Sequence, residues 1–498
     1  MAFEQKSVKN AAVSVAVGGL LSRAIGFIGS IALARILVPE DYGYWVIVTM
    51  ITSFFTLVID AGFEYYYIVK VNINKGEETP QEEVVKIENT VFFLRVIVNL
   101  LLFVLQFGLS YLPIDLLSSP VDKIVRLLAF VHIINIMGRI NEVRLKKYFN
   151  FGKITKYNIV STIVSTFVQV VCAFLGFGVM SFAWGSLVKV LVNNIGLVSI
   201  GRFRPQKQFV SRPILREVLG FALHSWLGNI GLYLNNQIDK FLLKHNFTMT
   251  DVGYYSFGNG TAYMFMTYVV YPQGSVIMNY ISNHQNHPRK LEEFVAFINK
   301  FLFILVLPVQ VLLFVFTDEF IGVLYGAKWL VAAPLFRLFI LRSFIEILFY
   351  PYSSFLTAFG KVDYLAKLNW FSVFLYGISL FLITLISSSI TIYAIVFVVC
   401  SLIFYLIKTF LSIRISKIRM SHIFSKIKIT LLVSLLIVAL LFVPSSVGLW
   451  LKTALTGLCL TLFFIFVVTF DRSAVVEIDA RLLGSTISRF CKKYSNLF

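Results

Sequence analysis

Ten charged side chains lie inside long apolar runs of the sequence, where a charge is costly. An arginine at the centre of a bilayer costs about 3 kcal/mol on insertion scales, so such residues usually face a cavity or one another. Basic groups in that setting can bind an anion, and carboxylates can bind a proton or a sodium ion. The ten residues are, in chain order, Arg23, Asp60, Glu64, Arg95, Lys189, Asp239, Lys240, Arg337, Arg342 and Glu346.

Several of these residues share a helical face. Asp60 with Glu64, and Arg342 with Glu346, are four residues apart, so each pair occupies one side of a helix. A longer polar and small stripe advances in steps of three or four residues, through His224, Gly228, Gly231, Asn235 and Asp239. We therefore expect a wet central cavity. Its basic members would bind an anionic headgroup, namely Arg23, Arg95, Lys189, Arg337, Arg342 and Lys240. Its acidic members are candidates for ion coupling, namely Asp60, Glu64, Asp239 and Glu346.

Plainer alternatives exist for most of these residues. Glu64, Asp239 and Lys240 stand near the ends of apolar runs and could reach the membrane surface by snorkelling. Arg342 and Glu346 could form an ion pair with a purely structural role. Arg23 lies mid-run beside small residues that would share one helical face, a pattern that also fits close helix packing. These small residues are Gly18, Ser22, Gly26 and Ser30.

The elements that carry these residues are membrane-spanning helices. The chain has 498 residues, of which 58% are hydrophobic and 14% charged, against about 25% charged in soluble proteins. Apolar runs of about 20 residues, long enough to cross a bilayer, recur along its whole length. We predict an all-α polytopic membrane protein with fourteen spans, at 12–37, 43–69, 86–111, 121–138, 154–176, 179–200, 214–243, 253–280, 294–316, 330–358, 364–387, 389–413, 424–443 and 446–470.

Loop charges predict the orientation. Basic residues concentrate in alternate loops, for example at 139–156 and 202–216, whereas the opposite loops, such as VPEDYG and TDEF, carry none. By the positive-inside rule both termini are cytoplasmic, and orientation accounts for most of the net charge of +19 without a nucleic-acid partner. The first apolar run has no A-x-A-like cleavage site after it, so we interpret it as an uncleaved first span.

No motif of the chain indicates an enzyme or a resident cofactor. There is no G-x-x-x-x-G-K-[ST] motif, and the loops on both sides are too short for a nucleotide-binding or catalytic domain. The four cysteines and six histidines lack the spacing of a disulfide framework or a metal site. We expect no cofactor, apart from coupling to H⁺ or Na⁺.

A short motif occurs twice. Asp41-Tyr42-Gly43-Tyr44-Trp45 opens the second span, and Asp251-Val252-Gly253-Tyr254-Tyr255 opens the eighth. The two copies are six spans apart and therefore share one orientation, which predicts two parallel six-helix halves. The predicted organisation is 1–205 and 206–420 for the halves, 421–470 for two extra spans, and 471–498 for an amphipathic tail on the cytoplasmic surface.

The two segments SRAIGFIGSIALARILVPEDYGYW and NNQIDKFLLKHNFTMTDVGYYSFG resemble the oligosaccharide flippases, the O-antigen and exopolysaccharide transporters of the multidrug/oligosaccharidyl-lipid/polysaccharide superfamily. The resemblance implies two six-helix bundles in a V around a central cationic cavity, with two further C-terminal helices. It also implies the substrate, an undecaprenyl-pyrophosphate-linked oligosaccharide moved from the cytoplasmic to the periplasmic leaflet of a bacterial inner membrane. Membrane lipids and other polysaccharide assembly proteins would be its partners.

One position departs from a related group. Arg23 matches the arginine of an S-R-x-x-G-F motif shared with the lipid II flippases, which carry a second arginine six residues later, where this chain has Gly29. On this ground the sequence argues against lipid II as the substrate.

The leading hypothesis is therefore a lipid-linked oligosaccharide flippase that uses alternating access. A multidrug or cation antiporter of the same superfamily is the alternative, and it would require an acidic cavity. A membrane-embedded polysaccharide polymerase or glycosyltransferase is a third reading, disfavoured by the lack of a large periplasmic loop.

Overall fold

The computed structural model describes residues 2–59, 63–72, 79–148, 150–438, 440 and 448–470. Within these ranges it does not describe the side chains of residues 2–14, 16, 58–59, 63–65, 221, 223–228, 433, 435–438 and 468–470. Asp60, the side chain of Glu64 and the predicted tail 471–498 therefore lie outside the description. The described residues form helices and turns without any β-strand, which confirms the predicted all-α class.

Contacts divide the chain into two compact units, Met1–Ser256 and Phe257–Phe498. Along the described residues the helices of the first unit are α1 (Ala2–Ile36), α2 (Pro39–Ile59), α3 (Phe63–Lys70), α4 (Gln81–Leu109), α5 (Val121–Lys147), α6 (Phe151–Phe174), α7 (Met180–Gly201), α8 (Arg212–Asn246) and the start of α9 (Met249–Phe265). Short 3₁₀ turns occur at Asp115–Leu117 and Lys207–Phe209. This division falls after the predicted boundary at 205/206 because α8 packs against α2, α3 and α4. The repeated six-helix halves stay a prediction.

The second unit continues α9 through a π-helix, Met266–Val270, and a 3₁₀ turn, Tyr271–Gln273. Its further described helices are α10 (Gly274–Asn283), α11 (Pro288–Phe301), α12 (Leu307–Val315), α13 (Thr317–Leu324), α14 (Ala333–Phe349), α15 (Phe355–Ala358), α16 (Val362–Ile386), α17 (Ile390–Ser416), α18 (Met420–Val438) and α19 (Leu449–Phe470). A second π-helix, Leu302–Val306, joins α11 to α12, and 3₁₀ segments at Ala327–Ala332 and Tyr350–Ser354 flank α14.

Each predicted span overlaps one helix or a consecutive run of helices. The spans at 43–69 and 253–280, for example, correspond to α2 with α3 and to the run from α9 to α10. Among the described residues, eight helices or runs have the length and hydropathy needed to cross a membrane: Val17–Ile36, Gln81–Leu109, Phe151–Phe174, Met180–Gly201, Pro288–Val315, Val362–Ile386, Ile390–Ser416 and Leu449–Val467. The chain is a multi-pass membrane protein, and the total of fourteen crossings stays a prediction.

Glycines set the packing of α1 on α6. A Cβ at Gly18 would overlap the Thr155 side chain, and a Cβ at Gly29 would overlap the Thr166 side chain. Gly26, which the sequence places on the same face as Gly18, instead has no described atom of another element within 4 Å of its Cβ position. The close contact of α1 with α6 therefore follows an eleven-residue spacing, three helical turns, rather than the steps of four in the sequence.

The two copies of the repeated motif contact each other at the starts of α2 and α9. A Cβ on Gly43 would overlap the carbonyl of Met249, and a Cβ on Gly253 would overlap the carbonyl of Pro39. Each helix start is also capped in the same way, since Asp41 and Asp251 accept hydrogen bonds at 3.2 Å from the backbone N–H three residues earlier. The repeat seen in the sequence is thus a repeat of local structure.

The last two helices are joined to the second unit by polar contacts. The backbone N–H of Arg419, just before α18, donates to Glu292 of α11 at 2.8 Å. On α19, Lys452 is 3% exposed and its Nζ lies 3.1 Å from Glu319 Oε1 of α13. Both ends of the α18–α19 pair are therefore fixed to helices of the same unit.

Candidate functional site

Arg342 is the best-positioned of the predicted basic residues. It projects from α14, where its Nε donates to Ser401 Oγ of α17 at 3.0 Å. The guanidinium carbon lies 4.4 Å from the ring centroid of Phe397 and 4.9 Å from that of Tyr263. Within the described part of the chain, its two terminal nitrogens have no hydrogen-bond partner, and the residue is partly exposed. The side chain is held in place while the part of it that pairs with oxyanions remains available.

Glu346 follows one turn later on α14 and is bound separately. Its Oε1 accepts a hydrogen bond of 2.7 Å from the Tyr271 hydroxyl, and the residue is 8% exposed. No nitrogen of Arg342 lies within the 4.0 Å limit of an ion pair with Glu346. The structural ion pair that their spacing allows is therefore not formed in the described structure.

A third charge, Lys408 of α17, joins this group. Its Nζ lies 5.9 Å from the ring centroid of Phe404, and its ammonium is within electrostatic range of Glu346. Sequence reasoning missed Lys408, although a lysine inside the span predicted at 389–413 is the same signal that identified the other charges. We define the Arg342 cluster as Arg342, Glu346, Lys408, Ser401, Tyr263, Tyr271 and Phe397. It carries two cations for one carboxylate.

The π-helix at Met266–Val270 helps to place the two tyrosines of the cluster. Tyr263 precedes it and Tyr271 follows it, so the wider turn changes the register between them. π-Helical turns inside longer helices are frequent at functional sites. The Tyr263 hydroxyl is buried without a hydrogen-bond partner among the described residues, and Tyr376 donates to Ser401 Oγ at 3.4 Å from the other side. None of the sequence patterns described above predicts the position of this π-helix.

Arg337 stands apart from this cluster. Its Nη2 lies 2.6 Å from Oδ2 of Asp318, an ion pair with the side chain at the start of α13, and both groups are partly exposed. Arg337 and Arg342 are five residues apart and so project from different sides of α14. The predicted grouping of these two arginines in one set of anion ligands is not seen in the second unit.

The basic residues predicted in the first unit lie in three different environments. Arg95 of α4 is buried, with 2% of its surface exposed, whereas Lys189 of α7 is exposed. Arg23 of α1 is partly exposed. It lies on the side of the helix away from the Gly18 and Gly29 contacts. The three side chains are therefore not equivalent as candidates for binding an anion.

Asp239 and Lys240 are held by neighbouring side chains. Asp239 is 2% exposed and its Oδ2 accepts a hydrogen bond of 3.1 Å from Tyr255 of α9. Lys240 Nζ donates to the Asn236 carbonyl at 2.7 Å and to Gln237 Oε1 at 3.1 Å. The snorkelling alternative is therefore wrong for Asp239, because α9 covers its carboxylate.

Gly29 has a structural explanation. An arginine at this position would collide with Thr166 of α6, so the helix contact itself requires a very small residue. The glycine thus has a packing role of its own, and the expectation that lipid II is not the substrate stays a prediction. Among the described residues no three His, Cys, Asp or Glu side chains gather as a metal site.

The fold matches that of known membrane transporters. The lipid II flippase MurJ in an inward closed conformation superposes with a TM-score of 0.68 at 14% identity, over 92% of this chain and 99% of that one. An inward-facing multidrug resistance MATE transporter of the MOP superfamily gives a TM-score of 0.60 at 13% identity, over 82% of this chain and 98% of that one. The chain therefore has the fold of this class of α-helical transporters.

Sequence comparison defines the family. Residues 32–334, more than half of the chain, match the polysaccharide biosynthesis protein family, and the chain belongs to it. Similar proteins include the teichuronic acid biosynthesis protein TuaB of Bacillus subtilis (strain 168), 23% identical over 76% of each chain. The lipopolysaccharide biosynthesis protein WzxC of Escherichia coli (strain K12) is 23% identical over 76% of this chain and 75% of its own. The succinoglycan biosynthesis transport protein ExoT of Rhizobium meliloti (strain 1021) is 21% identical over 68% of this chain and 66% of its own.

Proposed function

We propose that this protein is a flippase that moves undecaprenyl-pyrophosphate-linked oligosaccharide repeat units across a bacterial inner membrane by alternating access. Such units would serve the assembly of O-antigen, exopolysaccharide or capsule. Membership of the polysaccharide biosynthesis family and the transport function in the name of ExoT support this proposal. The observation that carries it is the guanidinium of Arg342, fixed through Nε and two rings with its terminal nitrogens available.

The chemistry of the Arg342 cluster suits a diphosphate-linked sugar. Arginine offers a planar pair of N–H donors that matches phosphate oxygens, and a partly buried site strengthens that attraction. Lys408 adds a second positive charge, so the cluster keeps a net excess of one over Glu346. Tyr263 and Phe397 provide apolar ring surface beside the guanidinium, against which a sugar could pack.

The remaining predicted residues receive narrower roles in this proposal. Arg23, Arg95, Lys189 and Lys240 would contribute positive potential along the path of the headgroup, whereas Arg337 is partly neutralised by Asp318. Glu346 and Asp239 are proposed sites for a coupling H⁺ or Na⁺. In both cases a tyrosine hydroxyl donates to the carboxylate, and Asp239 Oδ1 also lies 4.0 Å from Lys240 Nζ. We propose no catalytic role for any residue.

Orientation follows from the distribution of loop charges. Both termini and the basic loops at 139–156 and 202–216 would lie in the cytoplasm, and the starts of α2 and α9 would lie at the periplasmic face. A multidrug or cation antiporter would need an excess of carboxylates to attract its substrate, and the Arg342 cluster has the opposite balance.

Deletion of the gene in its own host tests the function. We expect the lipid-linked oligosaccharide to accumulate with its sugar accessible only from the cytoplasmic leaflet, and a plasmid copy to restore export. Arg342→Ala should fail to restore export, whereas Arg414→Ala, at an exposed position in the last turn of α17, should restore it. Normal export in the deletion strain, with no accumulated intermediate, would refute the proposal.

A further inference from the structure

The first unit contains an apolar cavity of about 590 Å³ between α2, α4 and α8. Its volume is within the range of about 300–1,000 Å³ typical of small-molecule sites. Ten of the twelve lining residues are aliphatic or Phe, and the remaining two are Tyr233 and Gln237. No part of the Arg342 cluster contributes to it. The cavity is therefore a separate feature from the anion site of the second unit.

Two polar atoms of its wall are bound by the protein. The Tyr233 hydroxyl donates to the Met50 carbonyl at 2.7 Å, and Gln237 Oε1 accepts from Lys240 at 3.1 Å. The interior is accordingly apolar, and apolar cavities of this kind stay dry or take up nonpolar ligands. Water is therefore a poor occupant, and a hydrocarbon is a good one.

Part of the cavity wall is exposed. Phe54, Leu105 and Phe241 line it and are also 39%, 50% and 43% exposed. Leu105 belongs to α4, one of the helices with the length and hydropathy to cross a bilayer. In a membrane, this exposed part of α4 would adjoin lipid chains.

One end of the cavity carries charges of both signs. Lys240 and Lys244 follow Gln237 by about one and two turns of α8, along the edge of the face that lines the cavity. Lys244 Nζ is 3.3 Å from Asp115 Oδ2, next to the lining residue Leu116. Lys240 Nζ makes two hydrogen bonds and lies 4.0 Å from Asp239 Oδ1. A lipid chain thus meets an apolar wall that ends at a polar, charge-balanced rim.

We propose that this cavity binds the polyprenyl chain of the diphosphate-linked substrate. The proposal rests on the proposed flippase function, since the substrate is the lipid that must be held while its headgroup moves. Helix α8 lines the cavity with Leu234, Ile238 and Phe241 and also carries the buried Asp239, one of the predicted ion-coupling residues.

Site-specific photocrosslinking tests the occupant. The full-length protein would carry p-benzoylphenylalanine at Phe241, or at Leu232 as a control that is exposed on α8 outside the cavity, in nanodiscs of phosphatidylethanolamine and phosphatidylglycerol. With radiolabelled undecaprenyl diphosphate, we expect capture at position 241 to exceed capture at 232 at least tenfold. Excess unlabelled undecaprenyl phosphate should compete, and added phosphatidylglycerol should not. Equal capture at both positions, or competition by phosphatidylglycerol alone, would overturn the proposal.

A filled cavity gives the second test. Leu105→Trp should reduce capture at position 241 at least fivefold, whereas Leu101→Trp, one turn away and outside the cavity, should leave it unchanged. Should Leu105→Trp not elute as the wild type does, Ile238→Trp fills the same volume from α8. Unchanged capture in a folded, filled variant would refute the cavity as the binding site. Intact export in a filled variant without capture would refute this inference alone, whereas normal export in the deletion strain would refute the proposed function.

Discussion

Arg342 and Glu346 stand one turn apart on α14, yet each is bound by a residue of another segment. Ser401 accepts from Arg342, and Tyr271 donates to Glu346. Opposite charges at this spacing often pair on an isolated helix. Here the pair is kept apart, so both groups can respond to a third partner. The predictions that follow use this separation and the contacts around it.

Replacing Arg342 should have a large effect on export. A hydrogen bond to a charged group contributes about 1.5–3 kcal/mol, and about 1.4 kcal/mol corresponds to a tenfold change in an equilibrium. We expect Arg342→Ala to lower export at least tenfold at normal protein levels, and Arg342→Lys to recover part of it. The initial rate of sugar export in the complemented deletion strain gives the measurement. Wild-type export by Arg342→Ala would remove Arg342 from the site.

Tyr271→Phe should affect Glu346 specifically. Loss of the hydroxyl leaves a buried carboxylate oxygen without its donor, at a cost of about 1–3 kcal/mol in the free energy of unfolding. In a double-mutant cycle with Glu346→Gln we expect a coupling of about 0.5–3 kcal/mol. Denaturant or thermal unfolding in detergent measures both. Tyr352→Phe is the control, because its hydroxyl donates to Met420 Sδ at 3.5 Å and not to Glu346. Additive effects of the two substitutions would contradict a direct contact.

Arg337→Ala should be much milder than Arg342→Ala. Its partner Asp318 is partly exposed, and ion pairs in such positions contribute about 0–1 kcal/mol. Export should stay within about fivefold of the wild type, corresponding to that range. The charge-swapped double variant, Arg337→Asp with Asp318→Arg, should be closer to the wild type than either single reversal. A loss as large as that of Arg342→Ala would place Arg337 in the transport path after all.

We expect the ionisation of Glu142 to make the stability of the folded protein depend on pH. Burial raises its pKa, but Arg139 at 3.0 Å and Lys146 at 2.9 Å outweigh that effect and hold the pKa below its usual value. The pKa of Glu142 is thus lower in the folded than in the unfolded state. Its contribution to stability is therefore fully present above the usual value of about 4.3, and it is lost as the pH falls through the pKa of the folded state. The difference in unfolding temperature between wild type and Glu142→Gln should therefore shrink in acid. The exposed Glu83→Gln should show no such trend.

Alanine at Gly43 or Gly253 should destabilise the junction of α2 and α9. At both positions a Cβ would meet a backbone carbonyl, which cannot move aside as a flexible side chain can. Overpacking of this kind costs about 1–3 kcal/mol. Gly260→Ala, on α9 with open space at its Cβ position, is the control and should change stability by about 0.5 kcal/mol or less. Unfolding temperatures that are the same for all three variants would contradict the close approach.

Hydropathy and residue spacing were sufficient to predict the helices but not the contacts between them. Runs of apolar residues located the helices because each had to bury its backbone in hydrocarbon. The sequence also identified the charged residues, because a charge inside an apolar run is costly. It did not identify their partners, because Ser401 and Tyr271 are distant in sequence from Arg342 and Glu346. The π-helix between Tyr263 and Tyr271 leaves no recognisable sequence pattern. The packing of Gly18 and Gly29 on α6 likewise required the crossing geometry of the two helices.

The reciprocal contact of Gly43 and Gly253 has a consequence for how this chain can change over time. Each glycine meets the carbonyl that opens the other helix, which is the arrangement of an isologous interface in a symmetric dimer. In such a dimer, one substitution would alter both contacts together. In this chain each copy can mutate alone, so a change at one glycine is tolerated only if the opposite helix start accommodates it. A substitution in one motif therefore limits the substitutions that the other motif, 210 positions away, can accept.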